Sequence, residues 1–280
     1  PLFSHAGPSR GMLARLRNQG WNRLVHQLSK PVLKVVNQFQ RERQLPLYRH
    51  GSQIRSELAQ VAQVPAAFDF PRTELPDIFH YTGPFHCLNT RPSVEFPWER
   101  IDDSRTMIYA SMGTLQNQIR HVFRVIAEAC QPLPVQLVIS LGGSAEPAEL
   151  SDLPGDPLVV RFAPQLELLK KASLCITHAG LNTALESLKQ GVPMLAIPLT
   201  NDQPGVAARI VWHKVGRMLR LKKLSVQRAR AMIIELLSHP HYAEKAKAIQ
   251  REIDAIDGVT LASGIIEKAT RTGKPVPREL

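Results

Sequence analysis

The sequence has few of the residues that mark metal-binding, disulfide-bonded or membrane-spanning proteins. Its 280 residues include only three cysteines, Cys87, Cys130 and Cys175, which lie far apart. They form neither a metal-binding pattern nor a disulfide framework, so a reducing, cytoplasmic environment is expected. No apolar run has the length of a membrane span, and the mean hydropathy is -0.14. These absences predict a soluble protein.

Two further patterns are missing. No Asp-x-Asp pair follows a predicted strand, so the sequence offers no clamp for a divalent metal. The chain starts at Pro1, and no signal-peptide pattern follows it. We therefore expect no metal and no cofactor, and we expect the chain to begin inside a longer protein.

Acidic residues are scarce near the start of the chain. The net charge is +11, and residues 1–55 carry ten Arg or Lys but only one acid, Glu42. A basic block of this kind suits nucleic acid, an anionic membrane surface or an acidic partner. It contains no recognised nucleic-acid motif and no interleaved aromatic residues, so no nucleic-acid partner is expected.

Apolar residues recur at helical spacing in this basic block. One series covers residues 13–28, and a second begins at Pro31. The spacing predicts two amphipathic helices, with Ser29 as the cap of the second and Pro31 in its first turn. The first helix would suit docking on anionic lipid at the membrane surface. The alternative is that it packs against the rest of its own domain.

Prolines divide the chain into two regions. Six of them lie between residues 65 and 97, and we place an interdomain linker at 84–104. Apolar strands then alternate with helices, which predicts an α/β domain at 105–260 with a doubly wound, Rossmann-like parallel sheet. Residues 1–83 would form a separate, earlier region. Residues 261–280 would give a helix that packs back on it and a loose tail.

The alternating region predicts six strands and six helices. The predicted strands are 107–112, 135–141, 158–162, 174–177, 194–198 and 218–221. The predicted helices are 115–130, 165–172, 182–190, 205–214, 226–237 and 242–256. Ligands of such sheets bind beyond the carboxyl ends of the strands, so the residues at those ends are the candidate site.

The strongest candidate follows the strand at 174–177. His178, Gly180, Asn182 and Thr183 come directly after it, where a helix is expected to begin. Free N–H groups and the positive end of the helix dipole suit a phosphate at that point. A lone histidine is more often a core residue, and Asn182 and Thr183 could act only as caps. The glycine and the helix start favour the anion site.

Two other strand ends carry candidates. Ser111, Gly113 and Thr114 close the first strand of the sheet; the alternative is an ordinary turn with a threonine cap. Phe162 ends another strand and offers an aromatic face for a flat base. The alternative for Phe162 is packing in the core.

Polar residues further along complete the predicted site. Glu186 lies one helical turn beyond Asn182, and Asp202 with Gln203 follows the next strand. Their carboxylates and amide could hold sugar hydroxyls. The alternatives are a solvated charge for Glu186 and a helix cap for Asp202.

The run from Phe162 to Gln203 closely resembles the donor-sugar signature of the UDP-glycosyltransferases. The resemblance implies a two-lobed GT-B fold, a UDP-sugar donor such as UDP-glucose, and direct displacement with inversion and without metal. It also implies that residues 1–83 are the later portion of the acceptor-binding domain and that 105–260 is the nucleotide-sugar-binding domain. Phe162 stands where the relatives often have Trp. The implied contacts are Phe162 on uracil, Gln165 and Glu186 on ribose, His178, Asn182 and Thr183 on the phosphates, Ser111, Gly113 and Thr114 beside the diphosphate or sugar, and Asp202 and Gln203 on the sugar hydroxyls.

The resemblance leaves the catalytic base without a residue. In the family a histidine near the start of the acceptor domain takes the proton, and the Gly-His segment that carries it is not visible here. His5 is a weak candidate. The base is therefore expected in a missing segment, either removed from this chain or carried by a separate one.

The earlier region is similar to glycosyltransferases that act on hydroxylated carotenoids. This similarity implies a hydrophobic alcohol as acceptor and a peripheral contact with the inner face of the membrane. The alternatives are a polyprenyl-linked or macrolide acceptor, or a non-catalytic fragment that binds a nucleotide-sugar or a membrane.

Overall fold

A computed structural model describes residues 12–72, 74–85, 93–113, 120–143 and 145–278. The first region contains one helix and two short strands. They are α1 (Met12–Glu42), β1 (Gln60–Ala62) and β2 (Phe79–Tyr81). β1 and β2 pair in parallel, with Gln60 opposite Phe79.

The second region alternates strands and helices. Its elements are β3 (Thr106–Ser111), α2 (Arg120–Cys130), β4 (Val135–Ser140), β5 (Leu158–Val160), α3 (Gln165–Lys171), β6 (Ala172–Thr177), α4 (Leu181–Lys189), β7 (Met194–Ala196), α5 (Gln203–Trp212), β8 (Gly216–Met218), α6 (Val226–Ser238), α7 (His241–Asp254) and α8 (Gly258–Thr272). Each of the six predicted strands overlaps a strand of the structure.

Six parallel strands form the main sheet, in the order β5-β4-β3-β6-β7-β8. The chain builds outward from β3 to β5 and then returns to place β6 on the other side of β3. The strand order therefore reverses between β3 and β6, and in doubly wound sheets the ligand crevice opens at that point. Ser111, the last residue of β3, pairs with Thr177, the last residue of β6.

Both faces of the sheet are covered. In β3, Ile108 and Ala110 belong to a buried apolar cluster on one face, and Met107 and Tyr109 to a cluster on the other. This alternation places α2 and α6 on the first face and α4, α5 and α7 on the second. The expected doubly wound α/β fold is confirmed.

The start of the chain differs from the prediction. Instead of two helices, α1 runs for 31 residues with Pro31 inside it. Ser29 caps nothing, since its hydroxyl donates to the carbonyl of His26 in the preceding turn (2.9 Å). A proline removes only one backbone donor, and the hydrogen bonds of the turns on either side carry a long helix across it.

The end of the chain is not a loose tail over the described residues. Beyond α8, the Val276 N–H donates to the Leu58 carbonyl (2.8 Å) and the Arg278 N–H to the Asp77 carbonyl (2.7 Å). α8 also starts three residues before the expected boundary at 261. Gly258 permits this start, because a Cβ there would lie only 2.8 Å from the carbonyl oxygen of Thr82.

Among the described residues no helix combines the length and the apolar character that crossing a membrane requires.

Candidate active site

A cleft of about 590 Å³ opens at the carboxyl ends of β3 and β6, where the strand order reverses. Most of the predicted site residues line it. They are Ser111, Gly113, Phe162, Gln165, His178, Gly180, Asn182, Thr183, Asp202 and Gln203. Glu186 does not line the cleft but lies behind Gln165, which does. Thr114 and His5 fall outside the described residues.

Two glycines enclose the ring of His178. A Cβ at Gly113 would lie 2.7 Å from both Cε1 and Nε2 of the ring, and a Cβ at Gly180 would overlap Nε2. Gly113 also has a φ of +83°, which side chains rarely adopt. Ala179 supports the turn from a buried left-handed conformation, and its N–H donates to the Thr177 hydroxyl (3.2 Å). The backbone at both glycines therefore lies against the imidazole where it lines the cleft.

The protonation state of His178 follows from its surroundings. Burial lowers its pKa below 6.5 and outweighs the opposing effects of the Ser111 carbonyl and the Asp202 carboxylate. Burial therefore favours the neutral form of the ring. An anion placed in the cleft would stabilise the protonated ring and raise its pKa.

The first turn of α4 faces the same cleft. Gly180 is the N-cap residue and makes no side-chain cap hydrogen bond, so the turn that follows has N–H groups without intrahelical acceptors. Asn182 is exposed and Thr183 is 9% exposed, and both lie inside the first turn instead of at the cap. The alternative that they act only as helix caps is therefore wrong. The geometry suits an anion at this helix end.

A hydrogen-bonded chain supports the wall beside α3. The Tyr109 hydroxyl donates to Oε1 of Gln165 (3.0 Å), and Nε2 of Gln165 donates to Oε2 of Glu186 (2.6 Å). Glu186 is only 1% exposed, so the alternative of a solvated charge is wrong. Burial also raises the pKa of Tyr109, which keeps its hydroxyl protonated as a donor. Gln165 is thus fixed where it lines the cleft.

Phe162 forms an aromatic surface at one end of the cleft. The ring packs closely against Gly143, where an added Cβ would lie only 2.9 Å from Cε1 of Phe162. The guanidinium of Arg161 lies 5.7 Å from the ring centroid. Phe162 remains 48% exposed, so the alternative of core packing is wrong. An exposed ring face of this kind can stack on a planar base.

Asp202 and Gln203 lie at the other end, where α5 begins. Asp202 is exposed and makes no side-chain cap hydrogen bond, so the alternative of a helix cap is wrong. Oε1 of Gln203 accepts from the N–H groups of Leu199 (2.8 Å) and Thr200 (2.9 Å). The Gln203 oxygen therefore shapes the preceding loop, and its Nε2 is the donor it could offer a ligand.

Sequence reasoning missed several residues of the cleft. Tyr109, Ser140, Asn201 and Gln63 also line it. Ser140 had the same signal as Ser111, since both end a strand and they pair in register. Gln63 comes from the first region, and no local pattern could place it opposite the sheet.

Among the described residues no cluster of His, Cys, Asp or Glu could hold a metal ion. The described part of the cleft offers helix N–H groups, the His178 imidazole and hydroxyls that could stabilise charge.

A doubly wound sheet with a polar cleft at its switch point is common to many α/β proteins. Similarity to solved structures identifies the class of this one as the GT-B fold of glycosyltransferases. The glycotransferase of kitacinnamycin superposes with a TM-score of 0.74 at 26% identity, covering 90% of this chain and 66% of that one. The calicheamicin glycosyltransferase gives 0.72 at 22% identity, covering 95% and 66%.

Sequence comparison gives the family. The family described as UDP-glucoronosyl and UDP-glucosyl transferase matches residues 16–252, and the chain belongs to it. The zeaxanthin glucosyltransferase of Pantoea ananas is 36% identical over 226 residues, 79% of this chain and 51% of that protein. The zeaxanthin glucosyltransferase of Pseudescherichia vulneris is 36% identical over 228 residues, 80% and 54%. The chain thus spans about half the length of these curated relatives, and the family resemblance is confirmed.

Proposed function

We propose that the cleft binds UDP-glucose and that the whole protein transfers the glucose to a hydroxyl of a hydrophobic alcohol, such as a hydroxylated carotenoid. The observation that carries the proposal is the enclosed His178 at the start of α4, with an exposed aromatic ring at one end of the cleft and an exposed carboxylate at the other. A nucleoside diphosphate sugar carries its base, diphosphate and sugar hydroxyls in the same order as these three features lie along the cleft.

The reaction that fits this arrangement is a direct displacement. The acceptor oxygen attacks the anomeric carbon as the bond from that carbon to the β-phosphate oxygen breaks, so the configuration inverts. The electron pair of that bond leaves on UDP, where the N–H groups of α4 and the His178 ring stabilise the charge. The acceptor proton goes to a base, which we assign to a part of the acceptor lobe outside the described residues.

The carotenoid acceptor rests on the relatives alone. Two of them are named for zeaxanthin, and another, from Streptomyces antibioticus, is named for oleandomycin and is 30% identical over 192 residues. Acceptor trials with zeaxanthin, a macrolide and a polyprenyl phosphate would separate these classes. Glucose transfer to zeaxanthin above the other two supports the proposal, and transfer only to another class refutes it.

Titration calorimetry with UDP and UDP-glucose tests the donor site directly. Wild-type chain should bind both, and His178→Ala should weaken both while circular dichroism shows an intact fold. Unchanged affinity in His178→Ala would refute the phosphate role. Binding without hydrolysis or transfer by the 280-residue chain would instead support a nucleotide-sugar-binding fragment.

Contact with a membrane stays a prediction. One side of α1 exposes an apolar stripe made of Leu24, Leu28, Val32, Val35 and Phe39, and basic residues such as Lys30 and Lys34 are also exposed. Both a bilayer and the remainder of an acceptor lobe could cover such a stripe. Co-sedimentation with anionic vesicles, compared with neutral ones, separates the two, because only the first predicts binding that falls with salt.

A further inference from the structure

A buried ion pair joins the first region of the chain to α5. Asp69 follows β1 and is 7% exposed, and Arg209 lies on α5 and is 9% exposed. Nε and Nη2 of Arg209 donate to Oδ1 of Asp69 at 2.9 and 2.7 Å. The other oxygen, Oδ2, accepts from Nε of Arg72 (2.6 Å) and the Tyr81 hydroxyl (2.7 Å). Both oxygens of the Asp69 carboxylate therefore accept hydrogen bonds from side chains that the fold brings to them.

Further contacts along α5 accompany this pair. The guanidinium of Arg209 lies 4.6 Å from the ring centroid of Phe70, and Nε2 of His213 is 3.0 Å from the Asp69 carbonyl oxygen. The Phe70 ring also meets Trp212 edge-on at 6.1 Å. Residues 69 and 70 therefore contact two successive turns of α5.

The pair also reaches the first turn of the helix. Nη1 of Arg209 donates to the carbonyl of Gly205 (3.0 Å), and Gly205 lies two residues after Gln203, where α5 begins. Burying two charges is favourable only if both are fully paired, and this geometry is retained at a considerable desolvation penalty. A purely apolar contact could join the two regions without that penalty. The directional hydrogen bonds therefore suggest that the pair does more than join the two regions.

We infer that Asp69 and Arg209 are positioning residues for the donor sugar. They fix the direction of α5, and α5 carries Asp202 and Gln203 at its start. The inference rests on the proposed function, in which these two residues hold the sugar hydroxyls. UDP lacks the sugar, so its binding should not depend on the pair.

Two variants test the inference. Asp69→Asn keeps the shape but removes the charge, and Arg209→Lys keeps the charge but replaces the two N–H groups that converge on Oδ1 with a single ammonium. By calorimetry both should lower the affinity for UDP-glucose about three- to tenfold relative to the affinity for UDP, the loss expected from one misplaced hydrogen bond. Arg72→Ala is the matched control, because Arg72 also binds Asp69 but is half-exposed and makes no described contact with α5.

The outcomes separate the two hypotheses. If wild-type chain binds neither ligand, the proposed function itself fails. If it binds both and the variants weaken both equally, or change only the melting temperature, the pair is a structural link and the inference is overturned. Loss of folding in both variants, with Arg72→Ala folded, would overturn it in the same way.

Discussion

Gly180→Ala should disable the anion site without disturbing the backbone. Gly180 has an extended N-cap conformation, with φ of -61° and ψ of 137°, which alanine adopts freely. The substitution therefore adds no backbone strain, unlike a change at Gly113. What it adds is a methyl group in the space of the His178 ring, beside Nε2. The ring must move, and the close approach of Gly113 to the same ring atoms limits where it can go.

The size of the effect follows from what His178 would contribute. A hydrogen bond to a charged group is worth about 1.5–3 kcal/mol, or about ten- to hundredfold in affinity. We expect Gly180→Ala to lose most of this binding free energy for UDP, as measured by calorimetry at pH 7. Because the cost arises through the ring, the double variant with His178→Ala should bind UDP about as weakly as His178→Ala alone.

Gly264→Ala is the matched control. Gly264 lies on α8, and a Cβ there would meet nothing within 4 Å. This change should leave the affinity for UDP unaltered and should raise the free energy of unfolding by about 0.5–1 kcal/mol, since alanine favours a helix over glycine. Full affinity for UDP in Gly180→Ala, or additive losses in the double variant, would refute the idea that backbone contacts hold His178 in place for an anion.

Three further predictions concern the rest of the cleft. Since burial lowers the pKa of His178 and a bound diphosphate raises it, binding of UDP-glucose should take up protons and weaken as pH rises through the pKa of the complex; calorimetry in buffers of different ionisation enthalpy measures the uptake, and His178→Gln should abolish it. UDP-glucose is the ligand for this test because its phosphates do not titrate near pH 6, whereas a terminal phosphate does. Phe162→Ala should weaken the binding of UDP by about 1–3 kcal/mol, the contribution of one stacked base, and Phe162→Trp should retain or improve binding. Equal affinities of the wild type and the two variants by calorimetry would exclude stacking. Asp202→Ala should reduce the affinity for UDP-glucose more than that for UDP, and an equal loss for the two ligands would remove Asp202 from the sugar site.

The sheet could be predicted from the sequence because its strands are short apolar runs bounded by glycine, proline and polar residues. The same patterns located His178 and Ser111, since a residue that ends a parallel strand must lie at the carboxyl edge. Ser29 and Pro31 together have the pattern of a helix start, so the sequence predicts two helices where the structure has the single helix α1. Nothing local shows that the Ser29 hydroxyl would turn back to a carbonyl of the preceding turn.

Sequence patterns could not predict which charged residues are buried or which distant residues pair with each other. Glu186 looks like any charge on a helix until α3 brings Gln165 to it, and the two are 21 residues apart. Asp69 and Arg209 are 140 residues apart, and their pairing depends on how the first region sits on α5. Such contacts are set by the packing of whole elements, which a motif cannot describe.

The two ends of the cleft are supported by different parts of the chain. At the end with Phe162, the Tyr109–Gln165–Glu186 hydrogen bonds lie wholly within the second region. At the end with Asp202, α5 is held by Asp69 of the first region. If the donor lies in the cleft as proposed, substitutions in the first region can change the preference for the sugar while the nucleotide contacts stay as they are. The affinity of the Asp69 and Arg209 variants for UDP-glucose relative to their affinity for UDP is the measurement that decides the point.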